Sequence, residues 1–209
     1  MNELSDITGL NVSEYVMIDM YALIEVINIL GGIDIYLEKN LVDPTYITKD
    51  NGIFSTLYYP KGHYHLDGIQ SLRIARSRYT TSDFDRAKRQ QIVLEGIAEK
   101  LKSIGISDLN KISKLIKTLS AYVKTNFSLI EMVQYYLRYR DYSIDAGNVL
   151  DTTNILYHTF SNLYLIEDEI ELKKLEMDED FDKGVYILLP RDNNWNLIRW
   201  YVRKLIGKK

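Results

Sequence analysis

The sequence of 209 residues contains no cysteine. Disulfide bonds and metal sites built on thiolates are therefore excluded. No apolar run approaches the roughly 20 residues that span a bilayer. Residues 1–6 also lack the basic start and the apolar core of a secretory signal peptide. The sequence as it stands is therefore expected to carry neither a membrane anchor nor an export signal.

An excess of positive charge is also absent, since the net charge is −3 and the isoelectric point is about 5.7. A dedicated nucleic-acid-binding protein usually has a broader basic balance. The hydrophobic content of 46% and the charged content of 26% are ordinary for a soluble globular protein. With this length they predict one well-packed domain, and they argue against disorder and against a multi-span membrane protein.

The N-terminal part of the sequence predicts a strand, a helix and a second strand. Residues 11–19 are rich in β-forming residues, and residues 20–30 place apolar side chains at helical spacing before Gly31 and Gly32 end the helix. Residues 33–37 alternate as a strand does. Such a unit implies a largely parallel sheet covered by helices.

The remaining elements follow from the same patterns. Residues 41–59 are irregular and compatible with a hairpin, and residues 60–68 read as a loop. Helices are predicted over residues 67–76, 82–103, 109–124, 129–139 and 195–206, and strands over residues 143–151 and 184–189. Residues 154–164 stay undecided between helix and strand. The acidic stretch 167–183 is expected to be a solvated helix or loop.

Positively charged residues are concentrated in residues 73–91, which contain five arginines, one lysine and only two aspartates. Arginine suits phosphate oxygens because its planar fork donates two parallel hydrogen bonds. Arg76 and Arg78 are two residues apart, so on an extended segment they point the same way and can bracket one phosphate group. The cluster therefore indicates a site for a phosphate or pyrophosphate.

A helix that begins near Ser82 strengthens this interpretation, because a helix N-terminus favours anions. Asp83, Arg86 and Gln90 fall on one face of that helix. Asp83 and Asp85 are also candidate ligands for a hard cation such as Mg²⁺. The alternative is structural: Ser82 and Asp85 form a capping box, and Asp85 pairs with Arg89 on the surface.

Two other features carry weaker signals. His63 and His65 are two residues apart and could hold a metal, although turn or packing roles are favoured. Arg191, between Pro190 and Asp192, is expected to lie in a surface turn.

Several segments taken in order resemble the LytR–CpsA–Psr family, over about residues 10–101. They are 31–34 (Gly-Gly-Ile-Asp), 60–68 (Pro-Lys-Gly-His-Tyr-His-Leu-Asp-Gly), 75–78 (Ala-Arg-Ser-Arg), 83–86 (Asp-Phe-Asp-Arg) and 89–91 (Arg-Gln-Gln). Residues 123–128 (Val-Lys-Thr-Asn-Phe-Ser) resemble a later element of that family. The ordered set is much more specific than any single segment.

The resemblance implies an α/β fold, a three-layer α/β/α sandwich around a mixed, largely parallel sheet. It implies a bacterial envelope enzyme on the extracytoplasmic face of the cell membrane, anchored by an N-terminal helix in its full-length form. Members of the family are phosphotransferases that move a glycopolymer from a polyprenyl-pyrophosphate lipid onto peptidoglycan as a phosphodiester. Mg²⁺ or a similar cation assists them.

By motif match, the resemblance gives roles to the residues of the cluster. Arg76, Arg78 and Arg86 would be the catalytic grip on the pyrophosphate, supported by the substrate-binding residues Arg73, Arg89 and Gln90. Asp83 and Asp85 would bind the metal, directly or through its second shell. The lipid tail would need an apolar channel. These roles suit phosphoryl transfer, which depends on positioning and on neutralising charge.

The sequence departs from the family pattern at its start. Family members carry two further strands ahead of this region, with an aspartate and an arginine of the active site, and these have no match here. We therefore expect an N-terminally truncated, impaired enzyme. Residues 1–140 would be the C-terminal part of the catalytic domain, and residues 141–209 an extension that packs on the same domain.

The expected partners are the polyprenyl-pyrophosphate-linked glycan, peptidoglycan and, through an anchor missing from this sequence, the membrane surface. The protein is expected to be a monomer that binds no nucleic acid. Two alternative functions stay open: a non-catalytic module that binds anionic lipid headgroups or pyrophosphate, and a transcriptional regulator that binds nucleic acid. Localised basic residues and a negative net charge count against the regulator.

Overall fold

The computed structural model of the protein describes residues 1–50, 52–79, 82–104, 108–139 and 149–207. Helices and strands alternate along these residues. In chain order they are α1 (Asn2–Thr8), β1 (Val16–Ile18), α2 (Met20–Leu30), β2 (Ile33–Leu37), β3 (Leu41–Asp50), β4 (Ile53–Tyr59), β5 (Gly62–Leu66), α3 (Gly68–Arg76), α4 (Asp83–Lys102), α5 (Leu109–Tyr122), β6 (Val123–Thr125), α6 (Leu129–Tyr139), β7 (Leu156–Phe160), α7 (Glu169–Met177), β8 (Tyr186–Pro190), a 3-10 turn (Arg191–Asn193) and α8 (Trp195–Ile206).

Most predicted helices are confirmed within a few residues, and local chemistry explains their ends. The side chain of Asp19 caps α2 by accepting a hydrogen bond from the N–H of Ala22, at 2.6 Å. Gly31 ends the same helix in the left-handed region, with φ of 84°, where a residue with a Cβ would be strained. Asp67 caps α3 through a capping box with Gln70.

The strands pair differently from the expectation. β1 pairs with β6 and β2 pairs with β5, and all four ladders among the described residues are antiparallel. The predicted unit of residues 11–37 is therefore not one parallel pair: its two strands lie in separate ladders, and β1 has only three residues. The largely parallel character of the sheet is thus not confirmed. The hairpin within residues 41–59 is confirmed as β3 and β4.

Residues 60–68 are not only a loop, because they contain β5. Its partner β2 lies about 30 residues earlier, with Ile33 opposite Leu66 and Asp34 opposite His65. The undecided residues 154–164 contain β7, which pairs with β8. Most of the predicted strand 143–151 lies outside the described residues.

The chain divides into two units, residues 14–149 and residues 1–13 with 150–209. In the larger unit, the core joins α2, α3 and α4 to the β2–β5 ladder through five side chains that are at most 1% exposed: Ile27, Ile33, Leu66, Ile74 and Val93. Burial of such aliphatic side chains is the main source of stability.

Two glycines set how closely the helices of the larger unit approach. A Cβ on Gly68 would lie 2.3 Å from the carbonyl oxygen of Ile24, so α3 touches α2 there. A Cβ on Gly96 would lie 3.2 Å from the carbonyl oxygen of Asp34, so α4 passes close to β2. These contacts fix the positions of α3 and α4, which carry the arginine cluster.

The smaller unit combines the β7–β8 ladder with α1, α7 and α8. Arg199 of α8 donates two hydrogen bonds to the carbonyl oxygen of Asp6, at 2.7 and 3.0 Å. The predicted packing of residues 141–209 on the first domain stays a prediction. Within the described ranges, no helix is both long enough and apolar enough to cross a bilayer.

Candidate functional site

The site is built where α3 ends and α4 begins. After Arg76 the chain leaves the helix, and Ser77 adopts extended angles, with φ of −55° and ψ of 133°. Ser77 is fully buried, while Arg76 and Arg78 on either side of it are exposed. Arg76, the last residue of α3, and Arg78, just beyond the buried Ser77, are therefore both open to solvent.

Asp43 holds this segment from beneath, although it lies more than 30 residues away in β3. It is only 2% exposed. Its Oδ2 accepts hydrogen bonds from the Oγ of Ser77 at 2.7 Å and from the backbone N–H groups of Arg78 and Tyr79 at 3.2 and 3.3 Å. Burial raises the pKa of Asp43, but the bonds from Ser77, Thr45 and these N–H groups outweigh it and lower the pKa to about 2.

Arg89 of α4 holds the carbonyl groups of the same region. It is 7% exposed. Its Nε donates to the carbonyl of Ile74 at 3.0 Å, and a terminal nitrogen donates to the carbonyl of Ser77 at 2.5 Å. A cation at the C-terminus of α3 also suits the helix dipole. The pairing of Asp85 with Arg89 stays a prediction, but Arg89 is buried and does not lie on the surface; burial lowers its pKa, and the negative charge of Asp85 opposes that shift.

Gln90 and Arg73 lie close to these contacts. Gln90 approaches the carbonyl of Ala75 with its amide nitrogen, at 3.5 Å. Arg73 is half-buried in the last turn of α3, one turn before Arg76. Direct binding of a ligand by Arg73, Arg89 or Gln90 stays a prediction, and the contacts of Arg89 are those of a residue that positions its neighbours.

The start of α4 carries the capping box that the sequence indicated. The Oγ of Ser82 accepts from the N–H of Asp85 at 3.1 Å, and Oδ2 of Asp85 accepts from the N–H and the Oγ of Ser82 at 3.1 and 2.7 Å. The bonds from Ser82, with the charges of Lys39 and Lys88, hold the pKa of Asp85 below its usual range. The predicted capping box is thus confirmed, while binding of a metal by Asp85 stays a prediction.

Asp83, the first residue of α4, brings two arginines together. A terminal nitrogen of Arg78 lies 3.1 Å from Oδ1 of Asp83, and one of Arg86 lies 3.3 Å from the same oxygen. The side chains of Asp83 and Arg78 are 63% and 67% exposed, so water weakens these ion pairs. Two guanidinium groups that converge on one carboxylate oxygen can equally converge on one phosphate oxygen.

An apolar pocket adjoins the arginines. It has a volume of about 260 Å³ and is lined by Ile18, Asp19, Met20, Leu23, Leu72, Ala75, Arg76, Gln90, Val93 and Leu94. Arg76 and Gln90 are therefore shared between the pocket and the polar site. The pocket thus places an apolar surface beside an exposed arginine, an arrangement that suits a ligand with both an anionic and an apolar part.

The fit to a metal ion is partial. Among the described residues, no group of three or more histidine, aspartate or glutamate side chains could hold an ion. Mg²⁺, however, is often bound by one or two carboxylates together with phosphate oxygens. Asp83 is exposed beside Arg78 and Arg86 and suits that arrangement, whereas Oδ2 of Asp85 is engaged in the cap.

His63 and His65 both have partners within the protein. Both ring nitrogens of His65 meet acceptors, with Nδ1 2.6 Å from Oδ1 of Asp34 and Nε2 2.9 Å from the carbonyl of Gly31. Lys100 pairs with Oδ2 of the same aspartate at 2.5 Å. The hydrogen bond to Asp34 raises the pKa of His65. His63 packs against the ring of Tyr36, with 4.6 Å between the centroids.

A second cavity, of about 890 Å³, lies between the β2–β5 ladder and α4. His63, His65, Gln91 and Glu95 are among its lining residues. Residues 91 and 95 project from a face of α4 nearly opposite to that of Arg86, since successive residues turn by about 100°. Lys88 and Gln91 belong to residues 73–91 and line this cavity too, whereas no arginine is among its described lining residues.

The residues that sequence reasoning missed are Asp43 and Ser77. A signal for Asp43 was present in residues 43–46 (Asp-Pro-Thr-Tyr), because an aspartate before proline and threonine is typical of a turn capped by its own side chain. No sequence pattern indicated the hydrogen bonds from Ser77 and Arg78 to Asp43. Arg191 lies in the 3-10 turn as expected and donates to the carbonyl of Thr152 at 3.2 Å.

The chain matches known proteins over most of its length. The sequence model described as the LytR_cpsA_psr family matches residues 1–178. The chain is 29% identical over 170 residues to the polyisoprenyl-teichoic acid–peptidoglycan teichoic acid transferase TagV of Bacillus subtilis, covering 78% of this chain and 41% of that protein. It is 30% identical over 142 residues to the corresponding transferase TagU of Enterococcus faecalis, covering 67% and 43%. The chain thus spans less than half of the length of these relatives.

Solved structures give the same result for the fold. The crystal structure of B. subtilis TagV aligns with a TM-score of 0.62 at 23% identity, covering 99% of this chain and 68% of that one. A structure of TagT bound to LIIa-WTA aligns with a TM-score of 0.59 at 20% identity, covering 99% and 66%. These likenesses confirm the fold class that the sequence predicted.

Proposed function

The chain belongs to the LytR–CpsA–Psr family, and from that premise we propose that it carries the phosphate grip of a cell-wall glycopolymer transferase. The donor would be a glycopolymer on a polyprenyl-pyrophosphate lipid, and the acceptor would be peptidoglycan. The observation that carries the proposal is the convergence of Arg78 and Arg86 on one oxygen of Asp83, at 3.1 and 3.3 Å. The names of TagV and TagU, which are teichoic acid transferases, support the choice of substrate.

In this proposal the arginines bind the pyrophosphate of the donor. Arg78 and Arg86 would exchange Asp83 for phosphate oxygens, and Arg76 would hold the junction between pyrophosphate and lipid, because it also lines the apolar pocket. The first isoprene units would occupy that pocket, whose volume of about 260 Å³ admits only a short part of the tail. The N-terminus of α4 adds further positive potential near the phosphates.

The reaction is a phosphoryl transfer. A hydroxyl of the acceptor sugar forms a bond to the phosphorus that carries the glycan, the bond from that phosphorus to the bridging oxygen breaks, and polyprenyl phosphate leaves. The hydroxyl proton passes to solvent. The contribution of Arg76, Arg78 and Arg86 is to orient the pyrophosphate and to neutralise the charge that moves to the leaving phosphate.

A divalent cation belongs to the same proposal. Asp83 would be its ligand from this chain, with phosphate oxygens completing the shell, and Asp85 would stay in the cap of α4. Such an ion would neutralise charge on the transferred phosphoryl group. The same exposed carboxylate would therefore serve as partner of two arginines in the free protein and as a metal ligand in the complex.

Binding of farnesyl pyrophosphate, measured by isothermal titration calorimetry with and without magnesium, tests the grip. We expect Arg78→Ala and Arg86→Ala each to weaken binding by about tenfold. Arg203→Ala is the matched control, because Arg203 is an exposed arginine of α8, and binding should stay unchanged. Equal affinity for all four proteins would contradict the proposal.

Transfer itself is tested with a polyprenyl-pyrophosphate-linked glycan as donor and peptidoglycan as acceptor. The chain spans less than half of its curated relatives, so we expect transfer by this chain alone to be slow. The readout is glycan attached to the wall through a phosphodiester. Turnover by this chain at the rate of a full-length relative would refute the expected impairment.

A non-catalytic module for anionic headgroups is the second candidate, favoured by the ion pairs that Asp83 makes with Arg78 and Arg86. The variant Asp83→Ala separates the two candidates. In a module without metal, removal of Asp83 frees the arginines and should tighten binding of farnesyl pyrophosphate. In the transferase, it should weaken the magnesium-dependent part of the binding.

A further inference from the structure

The peptide groups around Arg78 are held from two sides by buried charges. Oδ2 of Asp43 accepts the N–H groups of Arg78 and Tyr79, and the guanidinium of Arg89 donates to the carbonyl of Ser77. Hydrogen bonds to a charged group are shorter and stronger than neutral ones. The backbone that presents Arg78 is therefore fixed by long-range contacts rather than by a helix or a strand.

We propose that Asp43 is a positioning residue of the anion site. Its carboxylate fixes the backbone of residues 77–79 so that the guanidinium of Arg78 faces that of Arg86, and it does not touch the ligand. The inference rests on the proposed function only in naming pyrophosphate as the anion. The sequence motifs assign no role in the site to Asp43, because this residue lies in β3, outside every one of those motifs.

The two oxygens of Asp43 do separate tasks. Oδ1 accepts from the N–H and the Oγ1 of Thr45, at 3.2 and 2.8 Å, and from the N–H of Tyr46 at 3.0 Å. These local bonds form the bulge of β3, where the register to β4 shifts after Asp43. Oδ2 makes the long-range bonds to Ser77, Arg78 and Tyr79. The local turn and the hold on the arginine segment can therefore be changed separately.

The same local turn occurs at Asp151, in the smaller unit. Oδ1 of Asp151 accepts from the N–H and the Oγ1 of Thr153, at 2.8 and 2.6 Å, and from the N–H of Asn154 at 3.2 Å. Asp151 is 7% exposed, close to the 2% of Asp43. Asp151→Asn is thus a matched control for the loss of charge from a buried aspartate that caps its own turn.

The geometry needs the negative charge and not only the shape of the side chain. Oδ2 accepts three hydrogen bonds, from Ser77, Arg78 and Tyr79. In Asp43→Asn one of the two side-chain oxygens becomes an NH₂ group, which donates and cannot accept. Whichever way the amide turns, one set of three donors loses its acceptor. The amide favours the turn around Thr45, which is local and therefore re-forms more easily, so the hold on Arg78 is lost.

The experiment compares the whole chain with Asp43→Asn, Thr45→Ala, Ser77→Ala and Asp151→Asn. One readout is amide hydrogen exchange at Arg78 and Tyr79 without ligand, followed by NMR. The other is the affinity for farnesyl pyrophosphate in the presence of magnesium. Exchange at Val93, in the core, reports whether each variant is folded.

In Asp43→Asn we expect exchange at Arg78 and Tyr79 to accelerate by about tenfold or more, and the affinity to fall by about tenfold, with Val93 still protected. Ser77→Ala should give a smaller effect of the same kind. Thr45→Ala and Asp151→Asn should leave both readouts within about twofold of the parent, because they leave the bonds of Oδ2 in place.

The inference is overturned if folded Asp43→Asn keeps the exchange and the affinity of the parent, or if Thr45→Ala lowers the affinity as much. If Asp43→Asn does not fold, Ser77→Ala decides by the same two readouts. If the parent chain itself does not bind farnesyl pyrophosphate, the proposed function fails. Exchange at Arg78 and Tyr79 then still decides the positioning role of Asp43.

Discussion

Replacement of Arg89 by alanine should destabilise the protein far more than removal of any neighbouring surface charge. Arg89 is 7% exposed, and its guanidinium donates to the carbonyls of Ile74 and Ser77. Both of these residues are buried, at 1% and 0% exposure. In Arg89→Ala neither carbonyl regains a donor from the chain, and a solvent molecule reaches them only through a gap left by the lost side chain.

The magnitude follows from these two groups. Each buried carbonyl without a donor costs about 1 to 3 kcal/mol, so two of them cost about 2 to 6 kcal/mol. Removal of the buried charge offsets part of this, because burial disfavours the charged guanidinium and lowers its pKa. We therefore expect the free energy of unfolding to fall by about 2 to 4 kcal/mol.

Urea unfolding followed by far-UV circular dichroism measures this change. Tryptophan fluorescence is less suitable, because both tryptophans, Trp195 and Trp200, lie in α8, outside the larger unit. Lys88→Ala is the control: it removes an exposed cation one residue earlier in α4, and should change the free energy by less than about 0.5 kcal/mol. Arg89→Lys should lie between the two, because one ammonium cannot match both carbonyls as the planar fork does.

A change for Arg89→Ala no larger than that for Lys88→Ala would refute the reasoning. Arg89 would then add nothing measurable to the stability of the C-terminal end of α3, and its predicted role as a ligand of the substrate would become the better explanation. A large loss of stability with an unchanged affinity for farnesyl pyrophosphate, measured on the folded fraction, would instead place Arg89 entirely in the scaffold.

Three further predictions concern other contacts. In Gly68→Ala the new Cβ would lie 2.3 Å from the carbonyl oxygen of Ile24, so Tm should fall, with a cost of about 1 to 3 kcal/mol. The pKa of Asp43 is about 2 against the usual 3.8, so its ionised carboxylate adds about 2 kcal/mol to the free energy of unfolding. This stabilisation is present above about pH 4 and is lost as the pH falls towards 2, which urea unfolding at several pH values measures. The pKa of His65 is raised, so its contribution to the stability of the fold is present below pH 6.5 and is lost as the pH rises through that raised pKa. An NMR titration of its imidazole should show a lower pKa in Asp34→Asn.

Each of these has a result that counts against it. An unchanged Tm for Gly68→Ala would mean that α3 can move away from α2. An acid unfolding profile that is the same for the parent chain and for Asp43→Asn would remove Asp43 as a source of the pH dependence. A His65 resonance that titrates at the same pH with and without Asp34 would show that the pair does not form in solution.

Local signals predicted much of the secondary structure, because they act within a few residues. The left-handed turn at Gly31 depends on that residue alone, and the capping box of Ser82 and Asp85 depends on side chains three residues from the backbone groups they satisfy. The sequence therefore predicted α2 and α4 within one residue of their ends. The hairpin of β3 and β4 was also within reach, since Gly52 marks its turn.

The pairing of strands could not be predicted in the same way. Residues 62–66 read as a loop because Gly62, His63 and His65 are weak strand formers, and they become β5 only through the ladder with β2. The expectation of a parallel sheet came from the order of a strand, a helix and a strand. Order along the chain does not choose among partners, and β1 found its partner about 100 residues later in β6.

The arginine cluster shows the same division within one site. Composition alone indicated a grip for phosphate, since arginines at nearly every basic position of a short segment suit that chemistry better than a solvated face. It could not distinguish arginines that face solvent from one that is buried. Arg78 and Arg89 look alike in the sequence, yet Arg78 is exposed at the site and Arg89 lies beneath it.

The sequence by itself thus determined the family and the fold class and predicted the residue types of a phosphate site, because these depend on patterns within short segments and on the order of those segments. Only the tertiary structure decided which of these charges are exposed and which are buried beneath them. That choice depends on burial and on partners distant in the sequence: Asp43 reaches Ser77 and Arg78 across more than 30 residues. Contacts of this kind appear only when the β3 bulge and the end of α3 are packed together.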